Sequence, residues 1–504
     1  MKGGTSTPPG RDEPIVAASP AFVAHIVAHS SGDTSADGAP GTTKRVEDAE
    51  AADGATTTPH LAPVRALEFY CGVGGLHFSL RRARPDGGAR VVGAFDINPN
   101  ACDVYEANFG VRPITNSLTA VPAARLDAFN SSLWLMSPPC QPFTRQGAQR
   151  DAADARSASF LRLLVDVLPA LANKPSHLLV ENVVGFETSE TRGTMLATLE
   201  RNGFEHREFI LSPRMFGVPY SRPRYFCVAK TRGLRWVDGE DTVAENAVRR
   251  APPRASLAHP KHWVPPGYED DLEPADPTEA TVPRLKREDG QTAAQAAAAA
   301  KARHRESDVS ARRGERGSRA GTTSRTYGVA PLRAFLESSS SDASWWSEHE
   351  VPLAELRKAR LSVDAVLPGD RKCNCFTKSY GKFTKGTGSF VAETRFDFKA
   401  WDGEREGGPE PKRPRDASAR HSVGDVDATD AEDTARAEAS EETRLPRVRY
   451  FSPREVANIH SFPATFEFPD RITKAQRFAL LGNSLSVACV APLLEYLLND
   501  TGEA

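Results

Sequence analysis

Cysteine is sparse in this sequence, with seven among 504 residues at Cys71, Cys102, Cys140, Cys227, Cys373, Cys375 and Cys489. The number is odd and no C-x-x-C pair occurs, which argues against a disulfide framework or a zinc site and for a reducing compartment. Net charge is nearly absent as well, −2 at pH 7. Any hold on nucleic-acid phosphates must therefore come from local patches rather than from a whole-molecule field. Long apolar runs are missing, so the reading is no membrane span. Residues 1–60 lack the apolar core of a secretory leader and the Arg-rich, acid-poor character of a transit peptide; their Ala, Ser, Thr and Gly read as a disordered tail. The expected location is the cytoplasm, with nuclear access through the basic run Lys412-Arg413-Pro414-Arg415.

What is present is an alternation of β-rich runs and helical patterns between Leu61 and Lys230, the signature of an α/β fold with a mainly parallel sheet. Strands are predicted at Val64–Tyr70, Arg90–Phe95, Leu133–Met136, His177–Val180, His206–Leu211 and Tyr225–Ala229. The apolar spacing Phe160, Leu163, Leu164, Val167, Leu168, Leu171 predicts one covering helix, and another runs from an N-cap at Ser189 to a stop at Asn202-Gly203. Residues 61–232 are assigned to a first catalytic part and 233–325 to a low-complexity insertion. A small domain follows at 326–399, a second insertion at 400–444, and a returning catalytic part at 445–504. In that last part Ser452-Pro453-Arg454-Glu455 combines a capping box with proline at the first helical position. A helical pair over 473–498 is broken at Gly482-Asn483.

The first strand runs into Cys71-Gly72-Val73-Gly74-Gly75, which places glycines at the carboxyl end of a strand, where α/β sheets bind ligands. Alone, this is a tight turn. The second strand ends at Asp96, about twenty residues on, where a carboxylate can take both hydroxyls of an adenosine ribose. The pair fits a dinucleotide or S-adenosylmethionine, and the absence of the full G-x-G-x-x-G spacing weighs against NAD.

The third strand leads directly into Ser137-Pro138-Pro139-Cys140-Gln141-Pro142-Phe143-Thr144. Prolines on both sides of Cys140 make burial on a regular strand awkward and hold the thiol at the mouth of the sheet. To act as a nucleophile it needs a cationic or helix-dipole neighbour, because a free thiol is only slightly ionised at neutral pH. The fourth strand ends in Glu181-Asn182, at the same sheet edge. Arg222 and Arg224 open the last strand, and alternation sends both guanidinium groups to one face. The stretch Arg371–Lys378 with Tyr380, Lys382, Phe383 and Lys385 interleaves cations with aromatics, as a loop-binding surface or a solvated basic loop would.

Through Glu68–Gly75, Ser137–Thr144, Glu181–Phe186, Ser221–Phe226 and Leu481–Val487, the sequence resembles the cytosine-5 methyltransferase family. Through Cys375-Phe376-Thr377 and Tyr380–Gly388 it is similar to the branch that methylates the anticodon loop of tRNA-Asp. The resemblance implies a Rossmann-like, S-adenosylmethionine-dependent methyltransferase sheet with a small target-recognition domain. It assigns catalysis to Cys140, Glu181, Arg222 and Arg224, and S-adenosyl-L-methionine binding to Tyr70, Gly72, Val73, Gly74, Gly75, Asp96, Ile97, Asn116, Ser117, Ser137, Asn483 and Ser484. In the DNA-methylating relatives an Asp stands near the Asn116-Ser117 position, which is a departure here. Substrate contacts fall on Gln141, Asn182, Cys375, Phe376, Thr377 and Lys378. The expectation is a monomer acting on tRNA without a metal. DNA is the alternative substrate, and an inert nucleic-acid-binding protein is the alternative of another class.

Overall fold

The computed structural model describes residues 63–139, 155–236, 247–274, 328–338, 342–359, 363–395 and 447–499. Cys140, Gln141, the tail and the greater part of both expected insertions lie outside the described residues.

Six strands form the central sheet: β1 (Val64–Phe69), β2 (Ala89–Phe95), β3 (Leu133–Met136), β4 (His177–Val183), β5 (Phe204–Leu211) and β6 (Arg224–Thr231), in the order β2-β1-β3-β4-β6-β5. The pairs β1–β2, β1–β3 and β3–β4 are parallel, whereas β6 runs antiparallel to both β4 and β5. Parallel strands covered on both faces need apolar residues on both, and the alternation supplies them. Ala66, Leu133, Leu135 and Leu179 face the helices Gly75–Ala83 and Val487–Leu498. Leu67, Phe69, Trp134, Met136 and Val180 face the segments around Leu163–Leu168 and Glu190–Arg201. The fold is thus a three-layer α/β sandwich with a mainly parallel sheet.

Local signals in the sequence have physical counterparts. Ser189 Oγ accepts from the Arg192 N–H at 3.0 Å, and Ser452 and Glu455 form a reciprocal capping box with Pro453 in the first turn. The helix predicted over 160–171 carries a π-type turn at Leu163–Val167. The final pair is Lys474–Asn483 and Val487–Leu498, with the break at Ser484–Ser486. Taken together, Lys474–Leu498 is long and apolar enough to cross a membrane by length and composition, but it is broken between the two helices and 72% of its apolar window is buried in the fold. Its hydrophobicity is that of helices packed in a core.

Residues 247–274 correct the low-complexity assignment of 233–325. Ala258, Trp263 and Val264 are buried in the core, and the Trp263 indole donates to the Leu257 carbonyl at 2.6 Å. Short turns, rather than periodic elements, carry these side chains inward, so periodicity has nothing to detect. A two-stranded ribbon pairs β7 (Glu273–Pro274) with β8 (Gly328–Val329). A three-stranded sheet joins β9 (Asp364–Val366), β10 (Ser389–Ala392) and β11 (Val448–Arg449), the last running antiparallel to β10. This small sheet therefore draws one strand from beyond the second expected insertion.

Candidate active site

The carboxyl ends of β1, β2, β3 and β4 surround a cavity of about 490 Å³. Tyr70, Gly72, Val73, Gly75, Asp96, Ile97, Asn116, Ser117, Ser137, Glu181, Arg222, Arg224, Asn483 and Ser484 all line it. Residues far apart in the sequence thus converge on one space.

On one side the Asp96 carboxylate is fixed by two backbone amides: Gly72 N–H donates to Oδ2 and Asn98 N–H to Oδ1, both at 2.8 Å. Burial raises its pKa despite those amide bonds. The neighbouring Ile97 is 74% exposed, an apolar surface left open on the cavity wall. Gly72 has φ +53°, and a Cβ there would meet no protein atom within 4 Å, so the turn leaves free space beside Asp96. Gly74 behaves differently. Its Cβ would lie 2.2 Å from the Phe109 ring, so this glycine serves helix packing and does not line the cavity. Tyr70 holds φ +58°, sparsely populated for a non-glycine residue, and its hydroxyl hydrogen-bonds Ser159 Oγ at 2.9 Å. A carboxylate, an apolar wall and a backbone that approaches closely together suit an adenosine-bearing cofactor.

On the other side stands Glu181, buried on β4. Ser137 Oγ donates to its Oε2 at 2.7 Å, and Arg224 Nε lies 3.5 Å from its Oε1. The register explains the second contact, because Arg224 pairs with Val183 across β4–β6 and shares a face with Glu181. Pro138 and Pro139, which lead directly to Cys140, line the same cavity.

Arg222 departs from the expected free fork. Its Nη1 donates to Phe376 O at 3.1 Å and lies 3.1 Å from Cys375 Sγ; its Nη2 donates to Gly482 O at 2.9 Å and to Ser484 O. A buried guanidinium whose two terminal nitrogens bond the carbonyls of Phe376, Gly482 and Ser484 ties three chain segments together. Burial opposes the Cys375 thiolate, but the Arg222 and Arg224 charges outweigh it and hold that thiol below its ordinary pKa. Phe376 is 1% exposed and packs against Tyr220, Tyr380 and Phe451. Thr377 closes the base of its loop by donating to Thr387 O at 2.8 Å, while Lys378 is exposed. Asn182 turns its Oδ1 to the Val183 amide at 2.8 Å and does not line the cavity.

Sequence reasoning missed Ser159, which orients Tyr70, and Gly482, whose missing Cβ admits the Thr377–Lys378 backbone. It also missed the buried network beneath the glycine turn. Glu68 Oε1 accepts from the His77 amide at 3.2 Å, and the Tyr105 hydroxyl sits 2.9 Å from Glu68 Oε2 and 2.8 Å from His77 Nδ1. Burial pushes Glu68 up to about 8 and His77 down to about 3. The acidic residue in the first strand was the available signal, since a carboxylate on a central strand needs partners.

Comparison with known proteins agrees with this geometry. Residues 64–499 match the profile of the C-5 cytosine-specific DNA methylase family. A mouse tRNA (cytosine(38)-C(5))-methyltransferase is 34% identical over 447 residues, covering 88% of this chain and 95% of its own length. A Dictyostelium discoideum DNA (cytosine-5)-methyltransferase is 30% identical over 445 residues, covering 87% and 96%. The crystal structure of an S. pombe Dnmt2 methyltransferase superposes with a TM-score of 0.54 at 27% identity, over 86% of this chain and 98% of its own. With a family profile that spans the described fold and relatives that align nearly end to end, the chain belongs to the C-5 cytosine methyltransferase family.

Proposed function

We propose that this enzyme methylates carbon 5 of a cytosine in the anticodon loop of a tRNA, tRNA-Asp foremost, with S-adenosylmethionine as methyl donor. The observation that carries the reading is the position of the Glu181 carboxylate, which opens on the cavity shared by Asp96 and by the Pro138-Pro139 lead into Cys140.

The residues fit the cofactor: Asp96 would take the ribose hydroxyls, Ile97 would offer an apolar face to the adenine, and Gly72 leaves room for close approach. When bound, it supplies a methyl group on a cationic sulfur. Cys140 adds to C6 of the cytosine while Glu181 delivers a proton at N3, so electron density collects at C5, the atom that takes the methyl group. Release of the C5 proton to solvent and return of the N3 proton to Glu181 then restore the ring and expel the Cys140 sulfur as thiolate. Ser137 and Arg224 hold the Glu181 carboxyl in line throughout, the preorganised electrostatics on which such steps depend. Arg222 acts at one remove by fastening the Cys375–Thr377 segment to the cavity wall.

An RNA loop suits the chemistry because its cytosines are already unpaired, which lowers the unstacking cost of reaching C6. The relatives named as tRNA methyltransferases support that substrate. The D. discoideum relative named as a DNA methyltransferase keeps DNA as a second reading. Purified protein given labelled methyl donor with total small RNA and genomic DNA in parallel tests the choice. Label in RNA supports the proposal, and label only in DNA overturns its substrate.

A further inference from the structure

Among the aromatics of the 371–388 stretch, the structure separates core from surface. Phe376 and Tyr380 are each 1% exposed, and Tyr380 is locked against Phe390, Tyr450 and Phe478. Phe383 is 61% exposed, one of three large apolar side chains left open among the described residues. Of the other two, Ile97 belongs to the cavity and Val165 is only 37% exposed. The neighbours of Phe383 on the same loop, Lys378, Lys382 and Lys385, are exposed cations.

The loop is built to hold Phe383 out. Lys382 N–H and Phe383 N–H both donate to Ser379 O, at 3.1 and 3.2 Å, and Thr387 Oγ1 donates to Phe383 O at 2.6 Å. Gly381 takes φ +76° directly over the Phe478 ring, where a Cβ would come within 2.6 Å. A turn closed by three hydrogen bonds that leaves its phenylalanine 61% exposed presents that ring to a partner. The root of the loop meets the active site, because the Thr377–Lys378 backbone abuts Gly482, which lines the cavity. Phe383 lies six residues beyond Thr377, at most about 20 Å of chain.

We infer that Phe383 is a stacking platform for an unpaired base near the target cytosine, with Lys378, Lys382 and Lys385 neutralising the phosphates around it. Unpaired RNA bases stack on exposed aromatic rings, and clustered lysines give the salt dependence typical of single-strand binding. The inference rests on the RNA reading above and names the element that grips the loop.

Steady-state methylation of an anticodon stem-loop RNA, with anisotropy of the same labelled RNA as the binding readout, compares wild type with Phe383→Ala, Phe383→Trp and the double variant Lys382→Gln/Lys385→Gln. Phe383→Ala raises KM and Kd roughly tenfold while kcat stays within about twofold, and Phe383→Trp retains wild-type binding. The lysine variant flattens the salt dependence of binding, by about 0.7 in log–log slope for each phosphate no longer neutralised. Unchanged KM and Kd in Phe383→Ala, with wild type active on the RNA, overturn this inference alone. A wild type that neither binds nor labels the RNA overturns the RNA reading and the inference with it.

Discussion

Ser137 Oγ and Glu181 Oε2 are joined by a 2.7 Å hydrogen bond across the neighbouring strands β3 and β4. The bond orients a buried carboxylate at the sheet edge where Pro138 and Pro139 line the cavity. Glu181→Gln keeps the shape and removes the transferable proton, so kcat falls by about 10²–10⁴ while cofactor affinity stays within a few-fold. Ser137→Ala loses the orientation only, and its kcat falls less. Single-turnover methylation and cofactor titration of the two variants separate these effects, and an active Glu181→Gln contradicts the assigned role.

Gly482 has no room for a side chain. A Cβ would sit 2.3 Å from Thr377 C and Lys378 N, both backbone atoms that cannot swing aside. Gly482→Ala therefore lifts the Cys375–Lys378 segment from the cavity wall, lowering Tm and raising KM for the nucleic acid together. Thermal denaturation and steady-state kinetics on the same preparation check the pairing.

Arg222 bonds the carbonyls of Phe376, Gly482 and Ser484 from a buried position. Lysine cannot reproduce that planar fork, and stranding buried carbonyls costs about 1–3 kcal/mol. Arg222→Lys is expected to lower the denaturation midpoint without changing the m-value, as read by urea unfolding.

Stability at neutral pH carries a signature of Glu68. Burial raises its folded-state pKa from 4.5 to about 8, so the folded protein holds a proton that the unfolded chain releases. The associated stabilisation is complete below the unfolded value, declines as pH rises, and is gone above about 8. Glu68→Gln mimics the protonated acid against Tyr105 and His77 and removes this component of the slope. Tm measured at intervals from pH 5 to 8.5 reads the difference; identical slopes in the two proteins contradict it.

Much of this was legible in the sequence. Leu133–Met136 and the capped helix Glu190–Arg201 followed from apolar runs and cap residues, because local preference and burial pull the same way there. The cavity residues were legible where a strand ends in a polar or glycine-rich turn, as at Gly72, Asp96 and Glu181. Residues 247–274 were not, since aperiodic turns bury Trp263 and Val264 without a pattern. The fate of Arg222 was hidden for another reason: its partners Phe376 and Gly482 lie 154 and 260 residues away, and alternation specifies a face but not a partner. Gly74 was grouped with the cofactor glycines because a glycine's need for space looks the same whether a ligand or Phe109 fills it.

Transfer of labelled methyl from S-adenosylmethionine by wild type and Cys140→Ala, offered total small RNA and genomic DNA side by side, reads out whether the proposed cytosine methylation passes through a Cys140 adduct. Labelled RNA is expected with wild type and none with Cys140→Ala, the variant still binding cofactor within a few-fold. Methyl transfer by Cys140→Ala at a rate near wild type would contradict it.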